Sequence, residues 1–236
     1  MTGEPQILII GASSAIAGAM IERYLKADNV EVITCSRGPA IHNGATHIQT
    51  EYTETAIVDA LKCLELNNLK RVYICNGTLH DEKTRPEKRI EDFNAEDLMK
   101  ILGVNTLIPM LWLKALTKVV RFNQECVITV FSARVGSIND NGLGGWYSYR
   151  ASKAALNMLL KTAAIELARR QKKVKLLAFH PGTTDTPLSK PFQANVPEGK
   201  LFTPDFVAER LIDLTGNLEF DQKLSYLDWQ GKPIPW

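Results

Sequence analysis

The stretch GWYSYRASKAALNM carries a tyrosine and, four residues on, a lysine: Tyr149 and Lys153. Residues four apart on a helix lie on one face, one turn from each other. A phenol held beside an ammonium is a candidate proton donor with its helper. The same spacing also occurs on solvated helices that carry no chemistry, so the rest of the chain has to decide between the two readings.

A second candidate is GASSAIAGAM, which starts where an apolar run ends at Gly11. Small side chains at such a turn let backbone approach a pyrophosphate, and a helix start offers free N–H groups and the positive end of its dipole. Ser13 and Ser14 can donate to phosphate or cap the helix. The pattern departs from GxGxxG. Gly11 and Gly18 are glycine but Ala15 and Ala17 stand between them, so alone it also fits a tight turn with an Ala-rich packing face. The next apolar run ends in CSRG. A fold that binds NAD places an acidic residue about 20 residues beyond the glycine turn to hold the ribose 2′-hydroxyl. Ser36 takes that place and Arg37 follows it. A guanidinium pairs with a 2′-phosphate and a hydroxyl can assist, which favours NADP(H). An exposed loop arginine is the plainer alternative.

The elements that must position these groups follow from periodicity. Apolar runs at 6–11, 31–36, 71–76, 126–132 and 174–180 have the length and composition of buried strands, with 223–228 and a weaker 46–49 as further ones. Segments 14–27, 54–66, 95–120, 147–171 and 204–215 repeat apolar residues at three and four, which predicts helices. Continuous apolar strands alternating with helices predict an α/β fold: a single Rossmann-type doubly wound parallel sheet with helices on both faces, over 1–236. Gly and Pro gather at 136–145 and 181–199, as loops beyond strand ends, where open α/β sheets bind ligands.

The bulk numbers exclude several classes. The chain has 236 residues, 45% hydrophobic and 23% charged, and a net charge of +2. That balance gives no strong pull on nucleic acid or an anionic membrane. The basic run RRQKKVK at 169–175 is expected to be a solvated helix end. Cys35, Cys63, Cys75 and Cys126 have no CxxC spacing, and His42, His47, His80 and His180 have no ligand spacing, so no metal site is expected. No signal peptide and no apolar stretch of spanning length is read, which leads to a cytoplasmic expectation.

Taken in order, GASSAIAG, CNG at 75–77, GVNTL around Asn105, FSARVGS, YRASK at 149–153 and HPGTTDT at 180–186 resemble the short-chain dehydrogenase/reductase superfamily. The block RVGSINDNGLGGWYSYRASKAALNM and the closing LDWQGKPIPW look most like its carbonyl reductase branch, near sniffer and the C-factor proteins. The resemblance implies that Tyr149 is the general acid in carbonyl reduction. Its ordinary pKa is about 10, and the Lys153 charge would lower it. Lys153 would also hold the nicotinamide ribose, and Asn105 a water that relays protons. NADP(H) would lie on Gly11, Ser13, Ser14 and Ile16, with Ser36 and Arg37 at its 2′-phosphate. Asn76 and Gly77 would follow after the fourth strand, and Pro181, Gly182, Thr184 and Thr186 on the nicotinamide side.

One departure stands out. The family's strand end carries two serines, the second of which positions the carbonyl. Here the positions are Ser132 and Ala133. Ser132 could take the role by a one-residue shift, Ser137 could take it from the loop, or no serine does. Ser132 is the favoured one, although successive strand residues face opposite sides. Residues 187–203, with Leu188, Phe192, Val196, Leu201 and Phe202, are expected to form a lid over an apolar carbonyl or alcohol substrate. The apolar outer faces of 95–120 and 147–171 lead to a homodimer or homotetramer. Two rival functions remain open: a regulatory nucleotide-binding module with little turnover, and an epimerase or dehydratase.

Overall fold

The computed structural model describes residues 3–236. Seven strands form one sheet: β1 (Gln6–Ile10), β2 (Glu31–Ser36), β3 (Thr46–Gln49), β4 (Leu69–Ile74), β5 (Cys126–Phe131), β6 (Val174–His180) and β9 (Ser225–Asp228). Their order is β3-β2-β1-β4-β5-β6-β9, and every pair is parallel. β7 (Thr183–Thr184) and β8 (Leu201–Phe202) form a separate parallel pair. β1 and β5 are buried along their whole length, because helices cover both faces.

The helices are α1 (Ala15–Leu25), α2 (Glu54–Lys62), α3 (Ala95–Leu102), α4 (Ile108–Val119), α5 (Tyr147–Arg170) and α6 (Pro204–Gly216). Alternate strand residues feed opposite cores. Leu8 and Ile10 of β1 pack with Leu61, Trp112, Leu116 and Leu156 from α2, α4 and α5. Ile7 and Ile9 pack with Met20, Ile21, Val207 and Leu211 from α1 and α6. The fold is the doubly wound Rossmann type. The strand order reverses between β1 and β4, and that switch point opens a crevice beyond the carboxyl ends of the strands. Ser14, Thr53, Asn94 and Thr203 cap α1, α2, α3 and α6 by accepting backbone N–H bonds.

Three expectations need correction. The span 95–120 is not one regular helix: a π-helical turn, Gly103–Leu107, separates α3 from α4 and contains Asn105. Such single-turn insertions occur often at functional sites. The run Ala95–Val119 also has the length and apolarity of a membrane-crossing helix, which the sequence reading missed. In this fold Ile101, Trp112, Leu113 and Leu116 are buried in it, while Met99 and Leu107 stay exposed. Finally, the basic run at 169–175 splits. α5 ends at Arg170, and Lys175 belongs to β6, where it is 1% exposed and bonds Asp221 and the Lys223 carbonyl.

Candidate active site

The turn after β1 is built from backbone. Gly11 has φ +78°, and a Cβ there would lie 3.2 Å from the Cys75 carbonyl carbon and 3.3 Å from the Asn76 nitrogen. A side chain would therefore meet backbone as well as the left-handed conformation. The Gly11 and Ala12 N–H groups donate to the Cys35 carbonyl at 2.9 and 3.2 Å. This ties the turn to the end of β2, one residue before Ser36. Ser13, Ser14 and Ile16 line a cavity of about 450 Å³. Ser36 and Arg37 lie outside its lining. The Ser36 hydroxyl is buried and donates to the Gly38 carbonyl at 2.9 Å. Arg37 is exposed, with its guanidinium 5.6 Å from the centre of the Tyr52 ring.

Tyr149 and Lys153 line the same cavity from the first turns of α5. Lys153 is 2% exposed, and its ammonium donates to the Phe131 carbonyl at 2.8 Å. A Cβ on Gly136 would sit 2.8 Å from both the carbonyl carbon and the Cβ of Lys153, so only glycine lets α5 close on the exit of β5. Asn105 is fully buried. Its Nδ2 donates to the Thr78 carbonyl at 2.8 Å and to Ser152 Oγ at 3.0 Å, and its Oδ1 accepts from the Thr78 N–H at 2.7 Å. Gly77 faces this group: a Cβ there would stand 3.6 Å from Lys153 Nζ and 3.7 Å from Asn105 Oδ1.

The electrostatics differ from the sequence expectation. Burial pushes the Tyr149 phenol above its usual range, with a further push from Tyr226. Burial lowers the Lys153 ammonium to about 7. Lys153 Nζ is 6.0 Å from the centre of the Tyr149 ring and is turned to the Phe131 carbonyl, so within the chain alone desolvation outweighs its pull on the phenol.

The two serines separate. Ser132 lines the cavity and donates to Asn157 Oδ1 at 2.6 Å, leaving the buried Asn157 Nδ2 without a partner. Ala133 also lines it, and its carbonyl accepts from the Tyr226 hydroxyl at 2.7 Å. Ser137 lies outside the lining, accepting the Asp140 N–H at 3.1 Å.

Asn76 and Gly77 line the cavity from one side, and Pro181, Gly182, Thr184 and Thr186 from another. Asn76 Oδ1 and Thr184 Oγ1 are buried without hydrogen-bond partners. Buried polar atoms are normally paired, so these two orphans and His180 Nδ1, all on residues that line one cleft, fit a polar ligand such as a dinucleotide. His180 also lines the cavity. Burial, and then the nearby Arg134 charge, lower its imidazole to about 4, so it is neutral near neutral pH. Of the apolar residues expected over the substrate, Leu188, Phe192 and Val196 line the cavity. Phe202 instead packs on Trp229, 4.4 Å between ring centres, and with Leu201 it forms β8.

Sequence reasoning missed Trp146, Leu79 and Arg134 in the lining, and Glu87 behind it. Glu87 is 5% exposed and its carboxylate accepts from the Ser148 N–H at 3.2 Å and from the Ser148 hydroxyl. No local pattern links Glu87 to α5. The Gly144–Gly145 pair before Trp146 was the one available hint.

Comparison with known proteins gives the family and the fold. A 1-hydroxy-2-glutathionyl-2-methyl-3-butene dehydrogenase from Rhodococcus sp. (strain AD45) is 26% identical over 231 residues, covering 98% of this chain and 99% of that one. A short-chain dehydrogenase/reductase from Burkholderia multivorans with bound NADP superposes with a TM-score of 0.83 at 24% identity, covering 99% of this chain and 100% of that one. The carbonyl reductase Sniffer of D. melanogaster gives a TM-score of 0.83 at 19% identity, with both chains covered completely. The family model for short chain dehydrogenase matches residues 5–197, a span that includes the turn after β1, the Tyr149–Lys153 helix and the loop after β6. The chain therefore belongs to the short-chain dehydrogenase family, whose members use nicotinamide cofactors.

Proposed function

We propose that this protein is an NADP(H)-dependent oxidoreductase that interconverts a carbonyl and an alcohol. The observation that carries the reading is that Tyr149 and Lys153 line the same cavity as Ser13, Ser14 and Ile16 at the start of α1. The Rhodococcus relative, named for dehydrogenating a hydroxy compound, and the bound NADP of the Burkholderia structure support it.

When bound, the cofactor supplies or accepts the hydride. The chain's residues hold it and handle the proton. The turn after β1 and the start of α1 take the pyrophosphate, Arg37 takes the 2′-phosphate with Ser36 beside it, and Asn76, Gly77, Pro181, Gly182, Thr184 and Thr186 take the remainder. Burial keeps the Tyr149 phenol protonated, which is the form needed to give a proton to a carbonyl oxygen. Lys153, titrating near neutrality, is suited to replace that proton, and Asn105 holds the neighbouring backbone at Thr78 and the Ser152 hydroxyl in place. Ser132 is the carbonyl donor in this reading. With the Asn157 amide turned over, its orphan Nδ2 would donate to Ser132 Oγ and free the hydroxyl proton for substrate.

Residues 187–203 serve as a lid on a one-domain protein. Met99, Leu107, Met158, Leu159 and Ile165 are exposed on α3, the π-helical turn and α5, and they provide the surface for a dimer or tetramer. The test is NADPH oxidation with a panel of small carbonyls, repeated with Tyr149→Phe. Turnover that the variant abolishes supports the enzyme. Binding of NADPH with no turnover supports the regulatory module instead, a reading favoured by Ala133 standing where a donor is expected.

A further inference from the structure

The apolar side chains that line the cavity include Leu79, Val135, Trp146, Leu188, Phe192 and Val196, and of these Trp146 meets the Tyr149 ring. Among the lining residues the charged side chains are Lys153 and Arg134. Arg134 is already engaged by Asp140 and Asp228 at 3.3 and 3.2 Å. Part of this apolar lining is aromatic. Trp146 meets Phe192 edge to face with ring centres 5.1 Å apart, and meets Tyr149 at 6.2 Å. His80 backs Phe192 at 5.5 Å and is itself fixed to the Leu188 carbonyl at 3.1 Å.

Trp146 is held in an unusual way. Its φ is 53°, left-handed, which is a real outlier for so bulky a residue. Gly144 and Gly145 before it are also left-handed, both at φ 64°. The Trp146 N–H donates to the Glu87 carbonyl at 2.6 Å, and the Glu87 carboxylate takes the Ser148 N–H and hydroxyl at the start of α5. Arg150 adds bonds to the Gly145 and Gly144 carbonyls at 2.9 and 3.1 Å. Strain of this kind persists only where the surroundings over-determine it, and it marks sites where one placement matters. What these bonds fix is the backbone from which the indole reaches Phe192 and the Tyr149 ring.

Resting on the carbonyl-reductase reading above, we propose that Trp146, positioned by Glu87, is the specificity-determining residue of the substrate pocket, and that with Phe192 it selects carbonyls bearing a flat aromatic ring. Rings that meet edge to face gain beyond what burial gives, because the edge of one faces the negative face of the other. Such a pair is worth about two- to tenfold in binding. A puckered saturated ring of the same size has no such face to offer.

The test compares benzyl methyl ketone with cyclohexylmethyl methyl ketone, in which a methylene keeps either ring out of conjugation with the carbonyl, reading the ratio of their kcat/KM values. The wild-type protein favours the benzyl ketone by about tenfold, and Trp146→Leu brings the ratio to about one, whatever happens to absolute turnover. Glu87→Ala lowers the ratio in the same direction, while Glu87→Gln, which can still accept from Ser148, retains it. A wild-type ratio near one, or an unchanged ratio in Trp146→Leu, overturns the proposal. If the wild-type protein reduces neither ketone, the carbonyl-reductase reading fails. The aromatic wall is then tested by ligand-observed NMR binding of the same two ketones: tighter binding of the benzyl ketone that Trp146→Leu removes supports it, and equal binding overturns it.

Discussion

The turn after β1 and the start of α5 lie on two sides of one cleft and are held by different means. At the first, backbone holds backbone: the Gly11 and Ala12 N–H groups share the Cys35 carbonyl, and Ser14 caps its own helix. At the second, remote segments converge on one helix. Glu87 caps Ser148, Asn105 binds Ser152, the Phe131 carbonyl takes the Lys153 ammonium, and Gly136 presses on Lys153. A backbone cradle needs only small side chains, so Ala15 and Ala17 can stand where a glycine pattern is usual. A helix fixed by side chains from elsewhere leaves far less freedom in what those side chains are.

The comparison is broken most severely at Tyr149. Tyr149→Phe removes the proposed proton donor, and kcat for carbonyl reduction is expected to fall about 10³-fold with NADPH binding unchanged; an unaffected kcat would remove α5 from the chemistry. Gly136→Ala tests the packing of the same helix. A methyl group 2.8 Å from Lys153 overpacks the contact, with an expected loss of about 1–3 kcal/mol in urea unfolding and a lower kcat.

Lys153 should also write a pH signature into stability. Its folded value of about 7 lies below its ordinary 10.5, so between those values the unfolded chain holds the proton and the folded chain does not. Unfolding then takes up a proton, and the contribution of Lys153 to stability rises with pH through that window. The unfolding free energy of the wild type relative to Lys153→Met should therefore increase from about pH 7 to about pH 9; a flat difference would mean that the ammonium is not desolvated.

On the cradle side the effects are smaller. Arg37→Ala is expected to raise KM for NADPH about tenfold and leave KM for NADH unchanged, as loss of one charge-assisted phosphate contact would do. Equal changes for both cofactors would place the 2′-phosphate elsewhere. Smallest of all is Gly18→Ala in α1. Its Cβ would meet only the His42 side chain, at 3.5 Å, and alanine gains up to about 1 kcal/mol of helix propensity, so stability should hold or rise with KM for NADPH within about twofold.

Local chemistry made much of this legible in the sequence. β1 and β5 are nearly continuous apolar runs because both of their faces are covered, and that property survives in one dimension. Tyr149 and Lys153 share a helical face by spacing alone, and Gly11 marks its turn. The sequence did not show that 95–120 is interrupted by a π-helical turn at Asn105, since the apolar repeat passes through the interruption. It also did not show that Lys175 is buried, because its partner Asp221 is 46 residues away.

What the sequence determined by itself is therefore the set of elements and the residues that each turn or helix face presents, because these depend on neighbours a few positions apart. Only the tertiary structure decided how those residues are used. Ser132 is turned to Asn157 across 25 residues, Ser148 is capped by Glu87 across 61, and the Trp146 N–H is taken by the backbone carbonyl of the same Glu87. Burial sets the protonation of Tyr149 and Lys153 in opposite directions, and burial is a property of the assembled fold: the desolvation that governs both groups comes from atoms far away in the chain.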